Sequence, residues 1–442
     1  MTSYIDASSP SGNGRRIELL GTDLIFDSID NVFVYPSLDV NRLRRALSRT
    51  LSFWPILTGR VLFDGNDEYF IELSDKSIPF TYAEDDELDR WPDLPILVDD
   101  VTKIHPFIDS VRYKPEVEPL LRIKVTRLLR SDEVVLGTSF QHMVGDAQSN
   151  IHFLNDLSQI YQDLQPVLPR PVFERPLLNK KDADFSLLPQ MKNFQNADKR
   201  ESILARLSKE QTETDAVNIS FSSEQLKKLH RLIVTINKEL TIHDALCAYL
   251  VFLMNKHVLT NGNECIRRAY MYINYRGVNL SLTPEGYVAN AIIQPLSCDF
   301  SDPLSLISIA ETIRQLIKTT REEEFLRKRV TLSNILMRQV IKEGRANFVW
   351  DKDEVVFNSN HKYDWANQVN FGMKNQCRFH TTGIFKYYFR IFQLNPVRNE
   401  NGNWIKDNGG VEVAFRIPKG EKKEKFLKGL NEDFNEDFIN VK

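Results

Sequence analysis

The sequence predicts a mixed α/β protein of two similarly sized domains, and three observations carry that expectation. The chain has 442 residues, more than one ordinary core holds and enough for two domains of roughly 200 residues each. Apolar residues make up 42% and charged residues 26%, the proportions of a globular protein with a sizeable core. Helical spacings and alternating strand-like runs occur in both halves, so neither half reads as all-α or all-β.

The elements are expected in the following order. MTSYIDASSPSGNGRR reads as a disordered tail over residues 1–15, without the charged and then apolar layout of a signal peptide. In LDVNRLRRALSRTL, Val40, Leu43, Leu47 and Leu51 share one helical face behind Asp39, a predicted N-cap. VLFDGNDEYFIEL predicts a hairpin turning at Asp64 and Gly65. RIKVTRL (122–128) and EVVLGTSFQ (133–141) predict a second pair of strands, followed by a helix near 150–164. Pro166, Pro169, Pro171 and Pro176 then open a crossover. It places a first domain at 16–180, a linker at 181–216 and a second domain at 217–442.

In the second half, Ser222 with Gln225 and Thr241 with Asp244 form predicted capping boxes. The second box precedes HDALCAYLVFLM, which is apolar almost all round and is expected to be buried. A strand AYMYINY (269–275) and a helix capped at Asp302 and Pro303 follow. VEVAFRI alternates as a half-buried strand, with Val411, Val413, Phe415 and Ile417 on one face. Phe426, Leu430, Phe434 and Phe438, four apart, mark a last helix.

Several function classes are excluded. A net charge of −3 argues against a nucleic-acid partner, which calls for a basic domain or stripe. No apolar run reaches the ~20 residues that span a bilayer. Cys247, Cys265, Cys298 and Cys377 are scattered with no CxxC pair, so neither a metal site nor a disulfide framework is implied. A reducing cytosol is the expected setting.

His-x-x-x-Asp occurs three times, at His105/Asp109, His142/Asp146 and His152/Asp156. His105 lies in IHPFID with nothing beside it that resembles a site. His152 and Asp156 fall on a predicted helix, where four residues apart is the spacing of a simple side-chain pair. His142 directly follows a strongly apolar strand and precedes Gly145, Asp146, Ala147 and Ser149 ahead of a helix. A strand end before a tight turn presents an imidazole to a cavity while the sheet fixes its backbone. A hydrogen-bonded core histidine is the other reading of the local sequence.

The segment HMVGDAQSNIHFLNDLSQIYQ resembles the HxxxD motif and following helix of the BAHD family of coenzyme-A-dependent acyltransferases. LSRTLSFWPILTGRVLFDG is similar to that family's helix and YPLAGR segment. INYRGVNLSLTPEGYVANAI resembles its VNxRxR and GYFGNAI stretches. FNSN (357–360) and NFGMK (370–374) stand where the family has TSW and DFGWG, and GGVEVAFRIP resembles its closing strand. The resemblance covers nearly the whole chain and marks a divergent member.

The resemblance implies a chloramphenicol-acetyltransferase-like fold, with the active site in a channel between the domains and a strand near 356–380 packing with the first. It implies a monomer that uses acyl-coenzyme A as cosubstrate, holds no permanent cofactor, and acylates a small alcohol or amine. His142 falls on the catalytic base. Asp146 falls on a structural aspartate with Arg276 as its partner, or alternatively on a residue that orients His142. Coenzyme A contacts fall on Thr241, His243, Asp244, Asn274, Arg276, Ser359 and Asn360. Asn370, Phe371, Gly372 and Met373 take the DFGWG positions. Asn370 lacks the charge that pairs with an arginine, and Met373 removes an aromatic wall from the expected acyl environment. Two rival readings are a carrier-protein-dependent condensation domain and a non-catalytic binding protein on the same fold. Gln141 and Ala147 stand where the condensation motif has a second histidine and a glycine.

Overall fold

The computed structural model describes residues 1–65, 68–259 and 264–438. In chain order the principal elements of the first half are β1 (Thr2–Ile5), β2 (Ser28–Tyr35), α1 (Val40–Leu51), β3 (Ile78–Asp85), β4 (Leu121–Leu128), β5 (Val134–Gln141) and α2 (Ala147–Tyr161). A crossover leads through α3 (Arg200–Glu213) into β6 (Thr214–Phe221), α4 (Ser223–Val234) and α5 (Ile242–His257). There follow β7 (Arg268–Met271), β8 (Ile273–Asn274), β9 (Ile292–Ile293), α6 (Leu306–Thr320) and α7 (Glu323–Lys342). The chain ends with β10 (Glu354–Ser359), β11 (Arg378–Thr381), β12 (Tyr388–Gln393), β13 (Val411–Pro418) and α8 (Glu421–Asn435).

Two mixed sheets organise these elements. The first runs β1-β3-β4-β5-β2-β11 and the second β6-β13-β12-β10-β7. β5 lies between β4 and β2, pairing antiparallel with both, and all eight of its residues are buried, as its apolar run demands. β11 comes from the second half of the chain yet pairs antiparallel with β2 across Arg378–Val34 and Thr381–Asn31. Trp365, Val369, Phe371, Cys377 and Phe379 join the apolar core of the first half, so this segment packs there. The other core gathers α5 and the inner face of the second sheet. Residues 244–255 of α5 are all buried, because the helix is apolar on every side.

Helix starts follow side-chain chemistry. Asp39 accepts from Arg42 N–H, and both predicted capping boxes form, at Ser222/Gln225 and Thr241/Asp244. Five expectations are corrected. The tail at 1–15 is ordered: Thr2–Ile5 adds an edge strand to β3, which polar residues do readily through backbone hydrogen bonds. The linker at 181–216 carries short helices and α3, held where Leu187 and Met191 pack on Leu332 of α7. The helix sought at Asp302 starts at Leu306 with Ser305 as cap, and Asp302 closes the preceding turn on Leu304 N–H. β13 is buried on both faces, not one, because first-half residues cover its outer side. The predicted strand 269–275 divides into β7 and β8, which join different sheets.

Asn66 and Asp67, past the predicted turn at Asp64 and Gly65, lie outside the described residues; the strands on either side, Arg60–Phe63 and Tyr69–Glu72, pair.

Acid should loosen this fold measurably. His380 on β11 is buried, donating from one nitrogen to the Pro95 carbonyl (2.8 Å) and accepting from Trp91 Nε1 (3.1 Å) on the other. That arrangement requires the neutral ring, and burial pushes its pKa down to about 4. Below pH 6.5 the unfolded chain takes up a proton that the folded one refuses, so stability present above 6.5 is lost toward pH 4. Thermal unfolding followed from pH 7 to 4 should show a falling midpoint, and His380→Asn should flatten that slope.

Candidate active site

The turn after β5 places the motif residues. His142 N–H donates to the Asp27 carbonyl (2.9 Å), continuing the pairing of β5 with β2. Its own carbonyl accepts from Asn290 Nδ2 (2.8 Å). The residue is therefore gripped by its main chain from both halves of the chain. Its Nδ1 is sealed without a hydrogen-bond partner, which leaves Nε2 as the nitrogen available to a substrate. Burial lowers the His142 pKa, opposed more weakly by its own main chain and by Asp146 and Asp27, so the ring is neutral at pH 7.

Gly145 is required by close approach. A side-chain carbon there would lie 2.5 Å from Ser149 Oγ and 3.2 Å from Ala289 N. Ala289 N–H donates to Ser149 Oγ (3.2 Å), which in turn bonds the next residue. Asp146 caps α2, accepting from Ser149 N–H (3.1 Å) and Ser149 Oγ (3.2 Å), and also accepts Ala291 N–H (3.0 Å).

Arg276 closes on the same carboxylate from both nitrogens, at 2.7 and 3.1 Å. Its remaining donors go to the carbonyls of Tyr287 (2.9 Å) and Ala289 (2.7 Å) and to Ser149 Oγ (3.1 Å). Both side chains of this fork are buried. Asp146 makes no hydrogen bond to His142, so the geometry is that of a structural pair.

Sequence reasoning missed a second pair. Asp23, fully buried, receives Arg175 Nε (3.0 Å), Asn290 N–H (3.0 Å) and Leu20 N–H (3.1 Å). Arg175 also donates to the carbonyls of Val144 (3.1 Å) and Val288 (3.0 Å), bracketing the His142 turn and the 286–292 stretch. Asn290, read only as part of a family segment, is the link between Asp23 and His142. A polar side chain after an apolar run was the sole local signal for it.

The residues assigned to coenzyme A come together in one row. Thr241 and Asp244 cap α5 and are both engaged by Arg314, whose Nη2 lies 2.7 Å from Thr241 Oγ1. Asp244 is thereby neutralised, and a buried carboxylate of this kind does not suit a phosphate. His243 stacks on His361, ring centres 4.9 Å apart at 16°. Ser359 Oγ bonds His361 Nδ1 (2.8 Å). Burial, then the neighbouring His361, Arg314 and Lys362, push His243 down to about 3, and burial with Lys362 pushes His361 down to about 4. Asn274 donates to Tyr363 OH (3.0 Å) and to Gln148 in the first turn of α2, and accepts Arg276 N–H (2.9 Å). Asn360 is buried, its N–H donating to the Ile391 carbonyl (2.7 Å), and it extends the pairing of β10 with β12. His361, Tyr363 and Gln148 were not legible as site residues.

The DFGWG counterpart lies elsewhere. Phe371 N–H donates to Ser158 Oγ (2.9 Å), and its ring packs edge-on against Tyr35 and Tyr161. Ser158 is 12 residues beyond Asp146, about 18 Å along α2 at 1.5 Å per residue. Asn370 accepts Gly372 N–H (2.7 Å) and donates to the Asn367 carbonyl, with no arginine involved. Phe371 and Gly372 both have positive φ, 47° and 91°, so the segment is a tight turn. Met373 packs against the first core. The expected gap in the acyl environment at Met373 is therefore corrected: this turn buttresses the far end of α2.

Of the rival histidines, His152 Nε2 lies 3.9 Å from Asp156, whose carboxylate is taken by Trp54 Nε1 (2.7 Å) and Val167 N–H (2.7 Å). His105 sits in a short turn, and Asp109 bonds Thr81 and Lys124. The acidic group Asp351, Asp353 and Glu354 is held by Lys192 and Arg268.

Residues 7–421 match the Transferase family as a whole. The chain belongs to that family, the BAHD acyltransferases. Among its relatives, hydroxycinnamoyl-CoA:5-hydroxyanthranilate N-hydroxycinnamoyltransferase HHT4 of Avena sativa is 31% identical over 33% of this chain, and the match spans about a third (32%) of that relative. Alcohol acyl transferase 2 of Malus domestica is 23% identical over 76% of this chain and 73% of its own. The BAHD fold recurs in F. sporotrichioides TRI101 complexed with coenzyme A and T-2, with a TM-score of 0.65, 14% identity, and 96% of this chain and 98% of that one covered. The mixed sheets described above are thus those of this BAHD member.

Two substitutions test the pairing. Asp146→Asn leaves the Arg276 guanidinium buried without its countercharge and should cost about 3–5 kcal/mol, read as a lower denaturant midpoint. Adding Arg276→Met should recover a substantial part, since the lone buried charge is then gone.

Proposed function

We propose that the protein transfers an acyl group from an acyl-coenzyme A thioester to the hydroxyl or amine of a small molecule. The observation that carries this reading is His142, neutral, fixed through its main chain from two sides and left with Nε2 free. The names of the relatives support both donor and acceptor: one is a hydroxycinnamoyl-CoA N-acyltransferase and another an alcohol acyltransferase.

His142 takes the proton from the acceptor O–H or N–H while that atom attacks the thioester carbonyl. The leaving thiolate needs little acid assistance because thiol pKa values lie near 8.5. No covalent acyl-enzyme is called for, so donor and acceptor are bound together. Asp146 is a positioning residue, with Arg276 as its partner. Thr241, His243, Asn274, Ser359 and His361 form the row along which the donor lies, with the three imidazole and hydroxyl groups of His243, His361 and Ser359 offered to its polar end. Every residue named belongs to one copy, so a monomer suffices. No helix among the described residues is long and apolar enough to cross a membrane, and four free cysteines suit a reducing cytosol.

Calorimetric titration with coenzyme A, acetyl-CoA and a hydroxycinnamoyl-CoA tests this without knowing the acceptor. Saturable binding with one thioester preferred is the expected result. The absence of binding at millimolar thioester would remove the coenzyme A assignment and favour the carrier-dependent reading. His142→Ala should keep thioester affinity within about threefold yet lower turnover by 10²–10⁴ or more. Retained turnover would exclude His142 as the base.

The pH profile of kcat/KM supplies a further check. The working form is the unprotonated ring and burial lowers its pKa, so activity should hold down to pH 6.5 and fall only below it. An acid limb centred above pH 7 would contradict this assignment.

A further inference from the structure

Arg329 on α7 is a charge without a counter-charge. It is 2% exposed, and its one hydrogen bond to another residue runs from Nη2 to the Gln294 carbonyl at 3.3 Å. Nε has no partner, and no carboxylate pairs with the group among the described residues. A guanidinium carries five donors, and at least the Nε–H goes unused in the interior. Loss of the proton is no escape, because burial lowers the pKa only to about 10.

The surroundings are rich in donors. Tyr270 faces the same space, 1% exposed, with its hydroxyl unpartnered. The main chain of Asn193 lies beside that hydroxyl. Asn193 Nδ2 donates to Gln294 Oε1 (3.3 Å), closing a ring of Arg329, Gln294, Asn193 and Tyr270. Two lone acceptors lie in this neighbourhood, Asn193 Oδ1 and Glu354 Oε1; a half-turn of the Asn193 and Gln294 amides presents a donor in place of the first, and the charge of the second is met by Lys192 and Arg268. The nearest acids, Glu354 and Asp351, are already engaged by Arg268 and Lys192 at 3.4–3.6 Å.

An unpaired charge at such depth costs several kcal/mol unless something compensates it. We propose that Arg329, Tyr270 and Asn193 form a buried site for one small inorganic anion of the size of chloride. The near-complete burial of Arg329 and Tyr270 favours a monatomic anion over a phosphate or a substrate carboxylate. The site is separate from the His142 chemistry and does not depend on the acyl-transfer reading. Its consequence is mechanical. Five and nine residues further along α7, Asn334 Oδ1 accepts Gly21 N–H (2.6 Å) and Arg338 donates to the Leu19 carbonyl (2.6 Å). An anion beneath α7 therefore steadies the helix that ties the two halves together.

Thermal unfolding of the full chain in sodium chloride against sodium gluconate, at equal ionic strength, tests the proposal. The midpoint should be about 2 °C or more higher in chloride, saturating with concentration as a bound ligand does. Arg329→Met should abolish the difference and unfold in gluconate no earlier than the parent. Should that variant fail to fold, Tyr270→Phe keeps the cation and should shift the chloride midpoint concentration upward severalfold. Bromide-soaked crystals should show an anomalous peak beside Arg329. Equal midpoints in both salts, a difference that survives both substitutions, or no bromide peak would show that water alone fills the cage.

Discussion

Asp146 and Arg276 come from positions 130 residues apart, one at the end of the first sheet and one just past β8 in the second half. Two charges this deeply buried tolerate each other's company and nothing less, since either one alone is strongly unfavourable in a dry interior. The fork between them fixes the start of α2, the Gly145 turn and the 287–291 main chain in one rigid unit. His142 then has a defined place because its neighbours on both sides are immobile. His142 itself is held by main-chain bonds and packing, while the ionic pair stands one layer behind it.

Asp23 and Arg175 repeat the arrangement with less show. Arg175 lies in the proline-rich crossover, and its bonds to the Val144 and Val288 carbonyls fasten that crossover to the His142 turn. Asn290 converts the anchored carboxylate into a grip on His142. In His142 the Nδ1 is sealed by burial without a partner, the main chain restrains the residue from both sides, and no carboxylate touches the ring.

Much of this was readable in the residues themselves. Capping boxes, the apolar α5 and the strongly apolar β5 depend on near neighbours in the chain, and each formed as its pattern implies. His142 stood out because a strand end, a glycine turn and a helix start coincide there. The Arg276 partnership came through the family likeness, and the fork confirms its geometry. What stayed hidden depends on contacts between distant segments. Nothing local marks Asp23, Arg175 or His361, since a buried aspartate and an exposed one are the same letter. The ordered amino-terminal strand escaped notice because edge pairing uses backbone groups, which polar side chains do not forbid. The NFGMK turn was misjudged for a related reason: a motif's fame says which residues recur, and its distance along α2 says what they support.

One strand sets the timetable of synthesis. β2 meets solvent on one side until β11 pairs with it, and β11 lies at residues 378–381. A ribosome working at roughly 5–20 residues per second takes about 10–50 s to travel from β5 to that point. Throughout that interval the nascent first sheet carries a free, buried-type edge of Val32, Phe33 and Val34, the kind that pairs indiscriminately with other chains. The architecture that locks the two halves together in the finished molecule thus leaves the newborn chain dependent on protection, and cellular yield should track the supply of nascent-chain chaperones more closely than the stability of the completed fold.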